Sequence, residues 1–142
     1  MAALPLVLTL AVAGSATAAR TAGLPLGSYR TEISDKDLLN AGAYQYVDQN
    51  HGTFTMTIQT GGRWRLVQKA PNYIEAPMIT GRYTSSSTRF RFVVESPAEL
   101  AGEFEQGTWS DDGTKLTFHP VKNGEDADAY AILGSHPWRK VA

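Results

Sequence analysis

Three histidines, four close carboxylate pairs and a set of alternating arginines are the residues of this chain suited to chemistry. His51, His119 and His136 could each move a proton or bind a metal, but no two stand at close metal-ligand spacing. His51 ends a helical pattern, and His119 and His136 each precede a proline. All three read as residues at element ends, so neither a metal nor a cofactor is expected. The pairs are Asp35/Asp37, Glu103/Glu105, Asp111/Asp112 and Asp126/Asp128. Acid–base catalysis needs one carboxyl held in a dry site with a raised pKa. Asp35 and Asp37 fall in a first helical turn, where negative charge is favourable. Asp111 and Asp112 adjoin Gly113 and read as turn residues. Glu103 and Glu105 alternate with Phe104, which predicts that both face solvent. The stretch Glu125–Asp128 reads as an exposed loop. No Ser-His-Asp set, phosphate loop or dinucleotide motif is recognisable. With no cysteine, thiol chemistry and disulfides are excluded. No catalytic residue is therefore assigned.

Arg63, Arg65, Arg82, Arg89 and Arg91 alternate with apolar residues. They predict a basic stripe on the outside of neighbouring strands, read as a solvated face that discourages edge pairing. Such a stripe could also dock an anionic surface. Nucleic acid is not an expected partner. The aromatics that would stack on bases lie on the opposite face, and 13 Lys+Arg against 14 Asp+Glu give a formal charge of −1.

What must position these residues is a series of strands. The segments 53–59, 63–66, 80–84, 89–92 and 115–118 alternate apolar and polar residues with period two. Gly61-Gly62, Ser85-Ser86-Ser87 and Asp112-Gly113 separate them with turn chemistry. Eight strands are predicted, near 27–33, 52–60, 63–69, 78–84, 89–95, 103–110, 114–119 and 129–134. Between the first two, Ser34 to Gly42 reads as a short helix: Ser34 caps it, Asp37 follows three residues on, and Gly42 ends it. Residues 43–51 could add a second turn.

Facing residues must share a side, so parity constrains each hairpin. A three-residue loop, 60–62, sets Ile58 against Trp64 and Met56 against Leu66, with Gly62 left-handed. A four-residue loop, 85–88, sets Tyr83 against Phe90 and Gly81 against Phe92. A two-residue Asp112-Gly113 turn sets Trp109 against Leu116 and Gly107 against Phe118. Phe104 and Trp109 have opposite parity, so a bulge near Gly107 is required if both point inward.

Eight sequential antiparallel strands remove their exposed edges by closing. The expected fold is all-β: an eight-stranded up-and-down barrel with a helical insert between strands 1 and 2. Its inward face would hold Tyr29, Ile33, Phe54, Met56, Ile58, Trp64, Leu66, Ile79, Tyr83, Phe90, Phe92, Val94, Phe104, Trp109, Leu116, Phe118, Tyr130 and Ile132. A barrel of this size is either filled by side chains or holds one small ligand. The large residues favour a narrow cavity. The cavity candidates are Tyr29, Phe54, Met56, Trp64, Gln68, Tyr83, Phe90, Phe92, Trp109, Phe118 and Tyr130. Of these, Tyr29, Gln68 and Tyr130 would orient a ligand and the rest would supply contact area.

The N-terminus reads as an export signal. Residues 3–13 are apolar and uncharged, 14–19 are small, and Ala16-x-Ala18 fits a signal-peptidase site. The apolar run is shorter than the ~20 residues a membrane span needs. The expected organisation is a signal peptide over 1–19, an extension over 20–26 and one barrel domain over 27–142.

The opening Gly27-Ser28-Tyr29, the Asp37–Gly42 helix and the closing Ser135-His136-Pro137-Trp138-Arg139 resemble small secreted actinomycete-type domains of the lipocalin-like (calycin) barrels. The resemblance spans about residues 24–142. Those families usually open on Gly-x-Trp, where this chain has Tyr29, and place an arginine near the final strand, where it has Arg139. The resemblance implies binding of small, mostly apolar molecules inside the barrel, and the leading expectation is a secreted monomer that binds a small apolar or amphipathic molecule without covalent attachment, with the insert as a lid. Two alternatives from other classes remain: a barrel isomerase, cyclase or haem-dependent enzyme using a cavity histidine or carboxylate, and a filled barrel that binds surfaces or proteins through its arginines.

Overall fold

The computed structural model describes residues 23–45, 47–71, 76–122 and 127–142. The signal peptide and cleavage site expected from the sequence, and the first residues of the expected extension, lie outside them. Eight strands form one closed antiparallel barrel in sequence order. They are β1 (Gly27–Ile33), β2 (Gly52–Gln59), β3 (Arg63–Lys69), β4 (Met78–Ser85), β5 (Arg89–Ser96), β6 (Phe104–Asp111), β7 (Lys115–Pro120) and β8 (Trp138–Lys140). No helix among the described residues is long and apolar enough to cross a membrane.

Period-two patterning places the core. In β2, Phe54, Met56 and Ile58 are buried and the residues between them less so, as expected of a strand with one face inward. The first hairpin has the expected register, with Ile58 opposite Trp64 and Met56 opposite Leu66. Gly61 and Gly62 both carry positive φ, at 77° and 70°.

The insert folds as expected. Helix α1 (Asp35–Asn40) has a complete capping box: Ser34 Oγ accepts from the Asp37 N–H, and Asp37 Oδ2 accepts from the Ser34 N–H at 2.9 Å. A second turn, α2 (Val47–Asn50), follows. Leu38 of α1 is wholly buried in the barrel's core cluster.

Two hairpins close two residues away from the expected register. Tyr83 faces Phe92 and Ser85 faces Phe90, while Gly81 faces Val94. Ser86 pairs with Arg89 through its N–H, leaving Ser87 and Thr88 as the turn. In the β6–β7 hairpin, Trp109 faces Phe118 and Gly107 faces Pro120. The cause is the Asp112 carboxylate. It accepts from the backbone N–H of Thr114 at 2.9 Å and of Lys115 at 2.8 Å. Asp112 therefore precedes the turn, which is Gly113-Thr114.

The expected strand at 129–134 is a helix, α3 (Ala127–Gly134). Ala127, Ala129 and Ala131 give it high helix propensity. Tyr130 and Ile132 imitate a period of two, but the fully buried positions are Ala131 and Leu133. Tyr130 is thus half-buried on a helix rather than inside a strand. Helix α3 lies against β7 and reaches α1. The eighth strand is the short β8 instead. It bridges β7 and β1 by pairing Leu116 with Trp138, Lys115 with Arg139, and Tyr29 with Lys140. Trp138 is completely buried, and its Nε1 donates to the Leu133 carbonyl at 3.0 Å, which ties β8 to α3.

Strand β6 also departs from expectation. It has no bulge at Gly107, and it alternates regularly through Glu105, Gly107 and Trp109 on the inner face. Phe104 therefore points outward, 36% exposed, with the Arg91 guanidinium carbon 4.3 Å from its ring centroid. Glu105 points inward and is 9% exposed, not solvent-facing.

Candidate functional site

The barrel is filled at one end and hollow at the other. The filled part is an aromatic cluster. Phe90 and Phe118 meet edge-on with centroids 5.0 Å apart, and Phe118 meets Trp138 at 6.5 Å. Phe92 lies 5.2 Å from Phe90, 6.1 Å from Tyr83 and 5.1 Å from Trp64. Such pairs add a modest increment beyond area burial.

Phe92 belongs to this cluster and also to the wall of a cavity of about 470 Å3. The strands supply Met56, Trp64, Leu66, Ile79 and Val94 to that wall, and α3 and β8 supply Ile132, Leu133 and Trp138. Gln49 and Asn50 of α2, Leu100 of the 3₁₀ turn at Ala98–Leu100, Glu103, Phe104 and Glu105 at the start of β6, and Asp128 and Ala129 of α3 complete the lining. The volume falls within the ~300–1,000 Å3 of small-molecule sites, and the wall is mostly apolar with a few polar groups.

Of the cavity candidates read from sequence, Met56, Trp64 and Phe92 line this space. Tyr29, Phe54, Phe90 and Phe118 are buried in the packed core. Tyr83 and Trp109 pack against it. Tyr130 lies on α3, with the Lys122 ammonium 5.8 Å from its ring centroid.

The inward polar groups mostly serve backbone. Gln68 Nε2 donates to the carbonyls of Gln49 at 2.6 Å and His51 at 3.0 Å, so β3 holds α2 at the cavity mouth. Thr31 Oγ1 donates to Pro137 O at 3.3 Å. The Tyr29 hydroxyl donates to Pro25 O at 3.1 Å and that of Tyr83 to Gln59 O at 3.2 Å. Burial raises the pKa of both tyrosines, with the charge of Asp111 adding to the effect at Tyr29. Both remain protonated donors at neutral pH.

The histidines lie outside the cavity lining. His51 Nδ1 is 2.7 Å from Asp35 Oδ1, and His136 Nε2 is 2.8 Å from Asp37 Oδ2. Both pairs fasten the start of α1, one to its own insert and one to the loop before β8. Among the described residues, one group, Asp35, Asp48 and His51, brings its ligand atoms within 4.8 Å of one another. The Asp35–His51 hydrogen bond and the exposure of both aspartates account for it as surface pairing.

The five arginines are all exposed. Arg63 stands directly opposite Arg82 on β3 and β4, a like-charge pairing that costs stability. Arg82 Nε is answered by Glu95 Oε1 at 3.3 Å, and Arg91 Nη1 by Gln106 Oε1 at 3.3 Å.

Sequence reasoning missed Glu105 and Trp138 as cavity residues. For Glu105 a signal was present: the parity that puts Gly107 and Trp109 inside also puts Glu105 inside, if no bulge is inserted. For Trp138 there was none, because three residues carry no periodicity. No family model, curated protein or solved structure matches the chain.

Proposed function

We propose that the mature protein is an exported carrier that binds a small hydrophobic or amphipathic molecule non-covalently inside its barrel. The observation that carries this reading is the cavity of about 470 Å3 walled by Met56, Trp64, Leu66, Ile79, Phe92 and Val94. Leaving such surface wet costs about 25 cal/mol per Å2, so an apolar occupant is favoured. Gln68 anchors α2 at the mouth, which gives the insert a fixed place over that end. Export is proposed from the sequence of residues 3–19.

The test compares native and denaturing mass spectra of the mature protein taken from its own secretion medium. Extra mass in the native spectrum alone, released on denaturation, is the expected result. Its absence, together with no binding of a neutral apolar fluorescent probe, overturns the reading.

One observation favours a second reading. Glu105 places a carboxylate inside the barrel, which a barrel isomerase or cyclase would need as an acid or base. Turnover of the identified ligand by wild type but not by Glu105→Gln would decide for it.

A further inference from the structure

We propose that the outer face of β7, β8 and β1 is a binding site for a phosphate-class oxyanion, held by Lys115, Arg139 and Arg30. The site is separate from the carrier reading, because its concavity shares no lining residue with the cavity inside the barrel.

The first support is the register of the two ladders that close the barrel. Arg139 of β8 stands directly opposite Arg30 of β1 on one side and Lys115 of β7 on the other. Three cations therefore form one row on adjacent strands, which lie about 4.8 Å apart. Like charges directly opposite one another are destabilising, and here the pairing occurs twice in succession. Alternation turns the row outward. Tyr29, Leu116 and Trp138 beside it in sequence are buried, whereas Arg30 and Arg139 are exposed and Lys115 is half-buried.

The second support is that the fold leaves the row without a counter-charge. Among the described residues, no ion pair joins any of the three to a carboxylate. The like-charge pair of Arg63 and Arg82 differs, since Glu95 answers Arg82 at 3.3 Å. Asp112 feels the charge of Lys115, but its carboxylate accepts from the backbone N–H groups of Thr114 and Lys115. All three cations line one concavity, in which Glu32 is the one carboxylate among the described lining residues. His136 of the same wall is paired with Asp37. Three cations against one carboxylate leave an excess of two positive charges. The excess is local, because the whole chain has a formal charge of −1.

The third support is the match to the ligand. A phosphate monoester carries about −1.5 to −2 charge at neutral pH and three acceptor oxygens. That meets both the excess charge and the number of cations. Guanidinium groups take such oxygens in pairs, and a single fork would use up a carboxylate.

The test follows backbone amide NMR shifts of the full mature chain at neutral pH and constant ionic strength, so that general screening is held fixed. Inorganic phosphate, phenyl phosphate and acetate are titrated against a chloride background. Both phosphates are expected to give saturable shifts centred on Arg30, Lys115 and Arg139, with acetate at least about tenfold weaker. Whichever phosphate binds tighter identifies the source, an ester or the free ion. Arg139→Gln and, separately, Arg30→Gln should each weaken phosphate about tenfold, and Arg63→Gln should not. Arg30 and Arg139 are exposed, so either variant should keep the fold. Phosphate should also raise the melting temperature of wild type more than that of Arg139→Gln; the variant subtracts the general stabilisation that phosphate gives folded proteins. Shifts no larger than with chloride, acetate binding as tightly as phosphate, undiminished binding in both variants, or equal rises in melting temperature would each overturn the proposal.

Discussion

The Trp64 indole stands opposite Gly81 and spends its single donor on the backbone of the neighbouring strands. Its Nε1 donates to Arg82 O at 3.0 Å and to Val93 O at 3.3 Å. This lies beside the register shift between Thr80 and Gly81, where the β4–β5 ladder is irregular. Trp109 repeats the arrangement, donating to Ser86 O at 3.0 Å and Arg89 O at 3.2 Å at the end of the β4–β5 hairpin. Each tryptophan thus packs one face inward and ties down a place where the strand ladder is interrupted.

Gly81→Ala should therefore be severe. The new Cβ would lie 1.9 Å from Val93 O and 2.9 Å from Trp64 Nε1. Backbone must move and the indole must leave its carbonyls, for a loss of about 2–4 kcal/mol. Gly113→Ala meets nothing within 4 Å, but φ there is +95°, so it should cost only about 1 kcal/mol of backbone strain. Urea denaturation of both variants checks the order.

Phe92 and Phe90 separate packing from binding. Both are buried in the aromatic cluster, but only Phe92 lines the cavity. Replacing either by leucine should cost about 1–2 kcal/mol. Phe92→Leu should also change the affinity for a neutral apolar probe, and Phe90→Leu should leave it unaltered. Equal effects on affinity would mean that ligand binding follows global stability rather than the cavity wall.

The parts legible in the sequence were those with a strong local cause. The capping box of Ser34 and Asp37, the Gly61-Gly62 turn and the alternation of Phe54, Met56 and Ile58 each act within a few residues. The barrel followed from seven such strands. Errors arose where one side chain decided between near-equal options. The Asp112 carboxylate moved a turn by one residue and the ladder by two. In 127–134, tertiary packing settled an ambiguous pattern. Gly134 lets α3 close on β7, where an added Cβ would lie 2.8 Å from Pro120 Cδ. The site was least legible, because one of its lining residues, Glu105, breaks the polarity pattern used to read the strands, and others come from α3 and the short β8.

The insert should lose its anchorage in acid. Burial pushes the Asp37 carboxyl upward, but hydrogen bonds from the Ser34 backbone, from His136 and from the Ser34 hydroxyl outweigh it, and the net pKa lies below the ordinary 3.8. The folded protein therefore binds this proton more weakly than the unfolded chain. The stability it contributes is present above the unfolded value and is lost as pH falls through the folded one. Asp112 acts in the same direction, held low by the Thr114 and Lys115 N–H groups. Wild type should thus lose stability steeply as pH falls through and below 3.8. Asp37→Asn should start less stable at neutral pH and lose less in that window. Urea midpoints across the acid range measure this, and parallel curves would remove the assignment.

Filling the cavity offers the sharpest separation of stability from function. Ile79 lines the cavity from β4, half-buried, opposite Leu66. A phenylalanine there would project into existing space rather than into packed neighbours. The usual overpacking penalty of about 1–3 kcal/mol should therefore not appear. Ile79→Phe should keep or raise the melting temperature, because new apolar contacts replace empty volume. It should also weaken binding of a neutral apolar probe by about tenfold or more, the loss of ~1.4 kcal/mol of ligand contact. Thermal denaturation and probe titration on the same sample give both numbers. A stable variant with undiminished binding would place the ligand elsewhere on the molecule. A variant that loses stability would show that the space around Ile79 is already occupied by packed side chains.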